Sequence, residues 1–124
     1  MNDRYEAGMK VRREVLGDAH VDRATANTTE FTADFQDFIT RYAWGEIWTR
    51  PGFDCKTRSR ITLTAHMARG LLEELALHVR AALRNGLTDE EIKEVLLQGA
   101  VYCGVPAANT AFAVAESALE AQRD

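Results

Sequence analysis

The sequence predicts an all-α fold, a single-domain bundle of about six helices, and three observations carry that reading. Apolar residues recur every three or four positions through most of the chain. Two prolines and eight glycines punctuate it between the periodic segments. No stretch alternates apolar and polar residues as a half-buried strand does.

Each element follows from local signals. Asp3 to Leu16 reads helical, with Tyr5, Met9, Val11 or Arg12, and Leu16 near helical spacing and Gly17 able to end it. Asn27-Thr28-Thr29-Glu30 offers a cap for a second helix, on which Phe31, Phe35, Phe38, Ile39 and Tyr42 form an aromatic stripe. The pattern breaks between Trp44 and Asp54, where Pro51-Gly52 marks a turn. Asp54 or Thr57 caps a third helix carrying Arg58, Arg60, Ile61 and Leu63 towards Gly70. The fourth, Leu71 to Asn85, places Leu72, Leu75, Val79, Ala82 and Leu83 on one face, and Asn85-Gly86 stops it. Thr88-Asp89-Glu90-Glu91 has the form of a capping box. Ile92, Val95, Leu96 and Gly99 then predict a buried face that continues to Val101 and Tyr102. Gly104-Val105-Pro106 breaks the chain again, and the last helix, Pro106 to about Gln122, is rich in alanine.

The 124 residues suit one domain, 1–124, with one core. Fifteen basic against nineteen acidic side chains give a net charge of −4, and no basic tract is present. That balance argues against nucleic acid or an anionic membrane as a partner. No apolar run approaches the roughly 18 residues of a membrane span. The first residues lack a secretory pattern, and a cytoplasmic location is expected. Cys55 and Cys103 lie far apart and form no Cys-x-x-Cys, so neither a disulfide framework nor a cysteine zinc site is expected.

Chemistry has few places to sit. Glu74 and His78 are four apart, so their side chains meet on one helix face bordering the apolar stripe. A carboxylate beside an imidazole favours imidazolium and fixes its tautomer, which suits a proton donor near neutral pH. The same spacing also describes a solvated pair contributing a few tenths of a kcal/mol. Arg50, Arg58, Arg60 and Arg80 are candidates for gripping a carboxylate, because a guanidinium binds planar anions through two parallel hydrogen bonds. Arg50 stands out in its irregular segment, although it could equally be a surface arginine. Arg58 and Arg60, two apart, cannot share a face. Trp44 and Trp48 could wall a ligand, anchor an interface or simply pack in a core. His66 reads as a satisfied or exposed histidine, His20 lies in a connecting loop, and no helical metal motif occurs, so no metal site is expected.

The segments Glu74–Thr88, Glu91–Gln98 and Val101–Asn109 resemble the carboxymuconolactone decarboxylase family. Arg4–Met9, Val15–Val21 and Trp44–Gly52 are similar to its stand-alone decarboxylases, so the likeness runs from Arg4 to about Ala121. The wider superfamily includes alkylhydroperoxidase D-like proteins with Cys-x-x-Cys-x-x-x-His on this helix. Here Leu71 and Glu74 stand at the cysteine positions before His78, so thiol-dependent peroxide reduction lacks its nucleophile. A non-catalytic, carboxylate-binding oligomer is the other alternative, since fold does not fix function.

The resemblance implies an all-helical, alkylhydroperoxidase D-like homo-oligomer, a hexamer or trimer of dimers, that needs no cofactor and no metal. It implies cofactor-independent decarboxylation of a dianionic lactone, 4-carboxymuconolactone, to the β-ketoadipate enol-lactone in protocatechuate degradation. His78 is expected to transfer the proton, with Glu74 orienting it or donating. Arg50 with Arg58 or Arg60 is expected to hold the retained carboxylate, and Trp44, Trp48 and Tyr102 to wall the ring.

Overall fold

The computed structural model describes residues 3–123, and helices are the only regular elements among them. The chain divides into two compact units, Met1–Asp54 and Cys55–Asp124.

The first unit holds α1 (Asp3–Leu16), α2 (Asp18–Ala26), α3 (Ala33–Ile39) and a π-helical segment, Thr40–Ile47. Gly17 ends α1 at φ 90°, a left-handed conformation that favours glycine, and the chain re-enters a helix at once. His20 therefore lies in α2, not in a connecting loop. Val21 is the one buried residue of α2, which leaves no apolar stripe for the sequence to show. Asn27 closes α2 and does not open the next helix; a turn of Thr29 and Thr32, linked by side-chain and backbone hydrogen bonds, leads into α3. The aromatic stripe is exposed, with Phe31, Phe35, Phe38 and Tyr42 all at least half accessible.

Gly8 and Gly45 set the spacing between α1 and the π segment. A Cβ on Gly8 would collide with the Thr40 carbonyl oxygen and lie 2.8 Å from the Gly45 nitrogen, and one on Gly45 would collide with the Arg4 carbonyl oxygen. These glycines lie inside helices, where they permit backbone-to-backbone contact in place of punctuation. Arg12 crosses the same junction, donating to Thr40 Oγ1 and Gln36 Oε1, each at 3.2 Å. Its burial pushes the guanidinium below the usual arginine range, with Tyr5 opposing. The wide turn continues into Trp48, whose N–H donates to the Ala43 carbonyl five residues back at 3.0 Å.

The second unit comprises α4 (Cys55–Arg69), α5 (Leu72–Arg84), α6 (Asp89–Cys103) and α7 (Val105–Gln122). Leu63 and Met67 of α4, Leu75, Val79 and Ala82 of α5, and Ile92 and Leu96 of α6 pack into one core with Leu87. Ala108, Ala111, Ala115 and Ala118 present the small side of α7 to it. Each fully buried Leu or Ile contributes on the order of 1.5–3 kcal/mol. Thr88 Oγ1 accepts from the Glu91 N–H at 3.1 Å, while Glu91 Oε1 accepts from the Thr88 N–H at 3.0 Å, completing the capping box. The buried face of α6 stops short of the sequence expectation: Val101 and Tyr102 are 75% and 81% exposed, past the reach of the four-helix core. Among the described residues no helix is long and apolar enough to cross a membrane.

Candidate active site

The turn at Gly70–Leu71 folds α5 back beside α4, and its backbone hydrogen bonds to Met67 and His66 hold that geometry. The first two turns of α5 then face the last turns of α4. Glu74 and His78, one turn apart on α5, meet His66 of α4 there. One ligand-type atom from each of the three lies within 4.8 Å of the others. The imidazole centroids of His66 and His78 are 5.0 Å apart, with their planes tilted by 34°.

Burial differs sharply across this triad. His78 is only 8% exposed and borders the core through its neighbours Leu75 and Val79. Glu74 is exposed, so its carboxylate keeps contact with water. His66 is half-buried, and its Nδ1 is enclosed without a hydrogen-bond partner. Burial pushes the His66 pKa below the usual imidazole value; Glu74 opposes this and Arg69 adds to it. The cluster thus combines a carboxylate open to solvent, an enclosed imidazole and a second imidazole that favours neutrality. Such a set can hand a proton to a bound carbanion, and two imidazoles with a carboxylate are also metal-binding side chains.

Sequence spacing found Glu74 and His78 but not His66. His66 lies twelve residues before His78 and on another helix, so no periodicity within one helix links them. The available signal was the short Arg69-Gly70-Leu71 turn, which requires antiparallel neighbours and brings the end of α4 back to the start of α5.

The other expected site residues lie on other turns and segments. Arg60 pairs with Glu91 at 2.9 Å, tying α4 to the capping box of α6. It also lines an open groove of about 800 Å³ with Ile61, Thr64, Glu94 and Val95, which includes neither Glu74 nor His78. The titratable groups converge instead at the α4–α5 turn. Arg58 is half-buried on α4 and Arg80 half-buried on α5. Tyr102 faces solvent near the end of α6. In the first unit Trp44 is buried against Trp48, with centroids 5.0 Å apart, and Arg50 is exposed in the turn that follows. Cys55 and Cys103 are free thiols, and neither occupies a position beside His78 equivalent to a redox pair.

Helices are the only regular elements among the described residues, and Leu71 and Glu74 stand before His78 where a redox-active relative of this scaffold would carry two cysteines. Residues 33–117 match the carboxymuconolactone decarboxylase family, and the chain belongs to that family. It is 47% identical over 122 residues to 4-carboxymuconolactone decarboxylase of Acinetobacter baylyi, covering 97% of this chain and 91% of the relative. It is 44% identical to nitrosuccinic acid decarboxylase of Metarhizium robertsii, covering 93% and 80%. A 4-carboxymuconolactone decarboxylase sequence of Pseudomonas putida is 58% identical over 43 residues, 35% of this chain and 90% of the relative.

Proposed function

We propose that the chain decarboxylates 4-carboxymuconolactone to the β-ketoadipate enol-lactone, a step of protocatechuate degradation, with Glu74 and His78 delivering the proton. The observation that carries this reading is the convergence of Glu74 and His78 with His66 in a family member that lacks the redox cysteines. The matched segment runs across both units, which supports treating 1–124 as one functional domain.

The substrate explains why a few side chains suffice. Its departing carboxylate sits on the ring carbon gamma to the lactone carbonyl. When that carbon–carbon bond breaks, the electron pair moves through the ring double bond onto the lactone oxygen. A 2-oxyfuran-like dienolate results, so the ring is its own electron sink. The protein must orient a dianion, stabilise charge arriving at the carbonyl oxygen and protonate the carbon alpha to it. His78, held by the core, supplies a fixed imidazole; Glu74, one turn away, orients it or relays a proton from water. The neutral form favoured at His66 leaves proton donation to this pair.

Arg50, with Arg58, is assigned to the retained acetate arm. A guanidinium on the departing carboxylate would stabilise the reactant more than the transition state. Arg60, which pairs with Glu91, is the alternative to Arg58. Trp44, Trp48 and Tyr102 are assigned to the walls of the ring site in a homo-oligomer, for which the exposed Val101, Tyr102 and Val105 are support. Two free thiols suit a cytoplasmic setting.

The relative that acts on nitrosuccinic acid favours a second substrate class. Loss of the carboxylate beside a nitro group sends the electron pair onto the nitro oxygens, and the resulting nitronate is protonated on carbon. Both reactions convert a carboxylate into a delocalised oxyanion that then takes a proton. Incubation with each substrate in the presence of a chelator tests the assignment. Loss of the lactone's ultraviolet absorption, with NMR identification of the enol-lactone, supports the first reading. Release of carbon dioxide from nitrosuccinate alone would replace it with the second.

A further inference from the structure

We propose that His66, Glu74 and His78 also bind a borderline divalent cation of the Zn²⁺ class, and that the bound cation switches proton delivery off. The second half rests on the assignment of proton transfer to Glu74 and His78; the first does not.

The donor set is the starting point. Two imidazole nitrogens and one carboxylate oxygen lie within 4.8 Å of one another. In a tetrahedral shell, metal–ligand bonds of about 2.0–2.2 Å set ligand atoms roughly 3.3–3.5 Å apart. Closing the remaining distance takes movement on the order of 1 Å, within the reach of a glutamate rotamer. Glu74 has that freedom because it is exposed, whereas the rings are held by α4 and α5. His66 Nδ1 is enclosed without a hydrogen-bond partner, so this ring has bonding capacity that the protein leaves unused.

The chemistry of the donors selects the ion. Imidazole with carboxylate suits Zn²⁺, Co²⁺, Ni²⁺ and Cu²⁺, whereas Mg²⁺ and Ca²⁺ prefer all-oxygen shells of six or more ligands. Three protein ligands leave a fourth position for water. Binding requires deprotonated imidazoles and carboxylate, so cation and proton compete for the same lone pairs. A filled site therefore occupies the lone pairs through which Glu74 and His78 would carry the proton, and chelation frees them. No electron transfer is involved.

The test uses the full chain freed of metal by a chelator and dialysed. Co²⁺ is added as a spectroscopic probe, and Zn²⁺ affinity is measured by calorimetry, without substrate. The expected result is visible Co²⁺ ligand-field bands, one Zn²⁺ per chain, and affinity at least about tenfold weaker in Glu74→Gln and in His66→Gln with unchanged circular dichroism. In the unsubstituted chain, stoichiometric Zn²⁺ should suppress carbon dioxide release, and excess chelator should restore it. Absence of saturable binding, or equal binding in both variants, would overturn the cation site and leave the proton-transfer reading intact. Binding at the triad with undiminished decarboxylation would overturn the switch, and the kinetics of the metal-free Glu74→Gln variant test the proton-delivery assignment separately.

Discussion

His66 of α4 and His78 of α5 face one another with ring centroids 5.0 Å apart, and Glu74 completes the group from the turn above. Two helices and a tight turn fix this relationship.

Replacing Glu74 by Gln keeps the shape of an exposed side chain and removes its charge. The expected result is a kcat lower by roughly 10²–10⁴ with KM little changed, since the group acts on the developing carbanion and not on substrate affinity. Steady-state kinetics with 4-carboxymuconolactone reads this directly. A raised KM at normal kcat would reassign Glu74 to binding.

Arg50→Ala tests the hold on the retained carboxylate. Loss of a charged hydrogen-bonded contact, about 1.5–3 kcal/mol, predicts a KM at least roughly tenfold higher and a smaller change in kcat. Unchanged KM would make Arg50 a surface arginine.

Gly8→Ala places a methyl group against the Thr40 carbonyl oxygen, where backbone stands in the way. Overpacking of this kind costs about 1–3 kcal/mol and lowers Tm by roughly 5 °C or more. Gly52→Ala, where a Cβ meets nothing within 4 Å, is the matched control. Equal thermal melts for the two variants would contradict the close approach of α1 to the π segment.

Acid should weaken the start of α6. The Thr88 N–H first, and then Arg60, hold the Glu91 carboxyl below its usual value. A carboxyl with a lower pKa in the folded chain contributes its full stability above the unfolded value, near 4.5, and loses it as pH falls through the folded one. Denaturant titrations should therefore show Glu91→Gln less stable than the parent at pH 7, with the gap narrowing below about pH 4.5. A gap independent of pH would remove the ionised carboxylate from the explanation.

Helices with strong local punctuation were legible in the sequence. Thr88 and Glu91 form the capping box their spacing requires, and the stops at Gly17, Asn85-Gly86 and Gly104 fall at helix ends. Elements whose support is tertiary were not legible. Residues 18–26 fold as a helix around a single buried residue, Val21, which gives no period to detect. Val101 and Tyr102 continue the apolar pattern of α6 beyond the core that would bury them. In the site, Glu74 and His78 were visible because one helix turn joins them. His66 reaches them only after the chain reverses at Gly70, a relationship that periodicity within one helix does not encode.

The most direct measurement is carbon dioxide release from 4-carboxymuconolactone by the metal-free chain and by its His78→Gln variant, each with circular dichroism recorded on the same sample. Turnover by the parent chain under chelation, a loss of at least about 100-fold in the variant, and superimposable helical spectra are expected. An inactive parent, or a variant that turns over at the parent's rate, would contradict the proposed function.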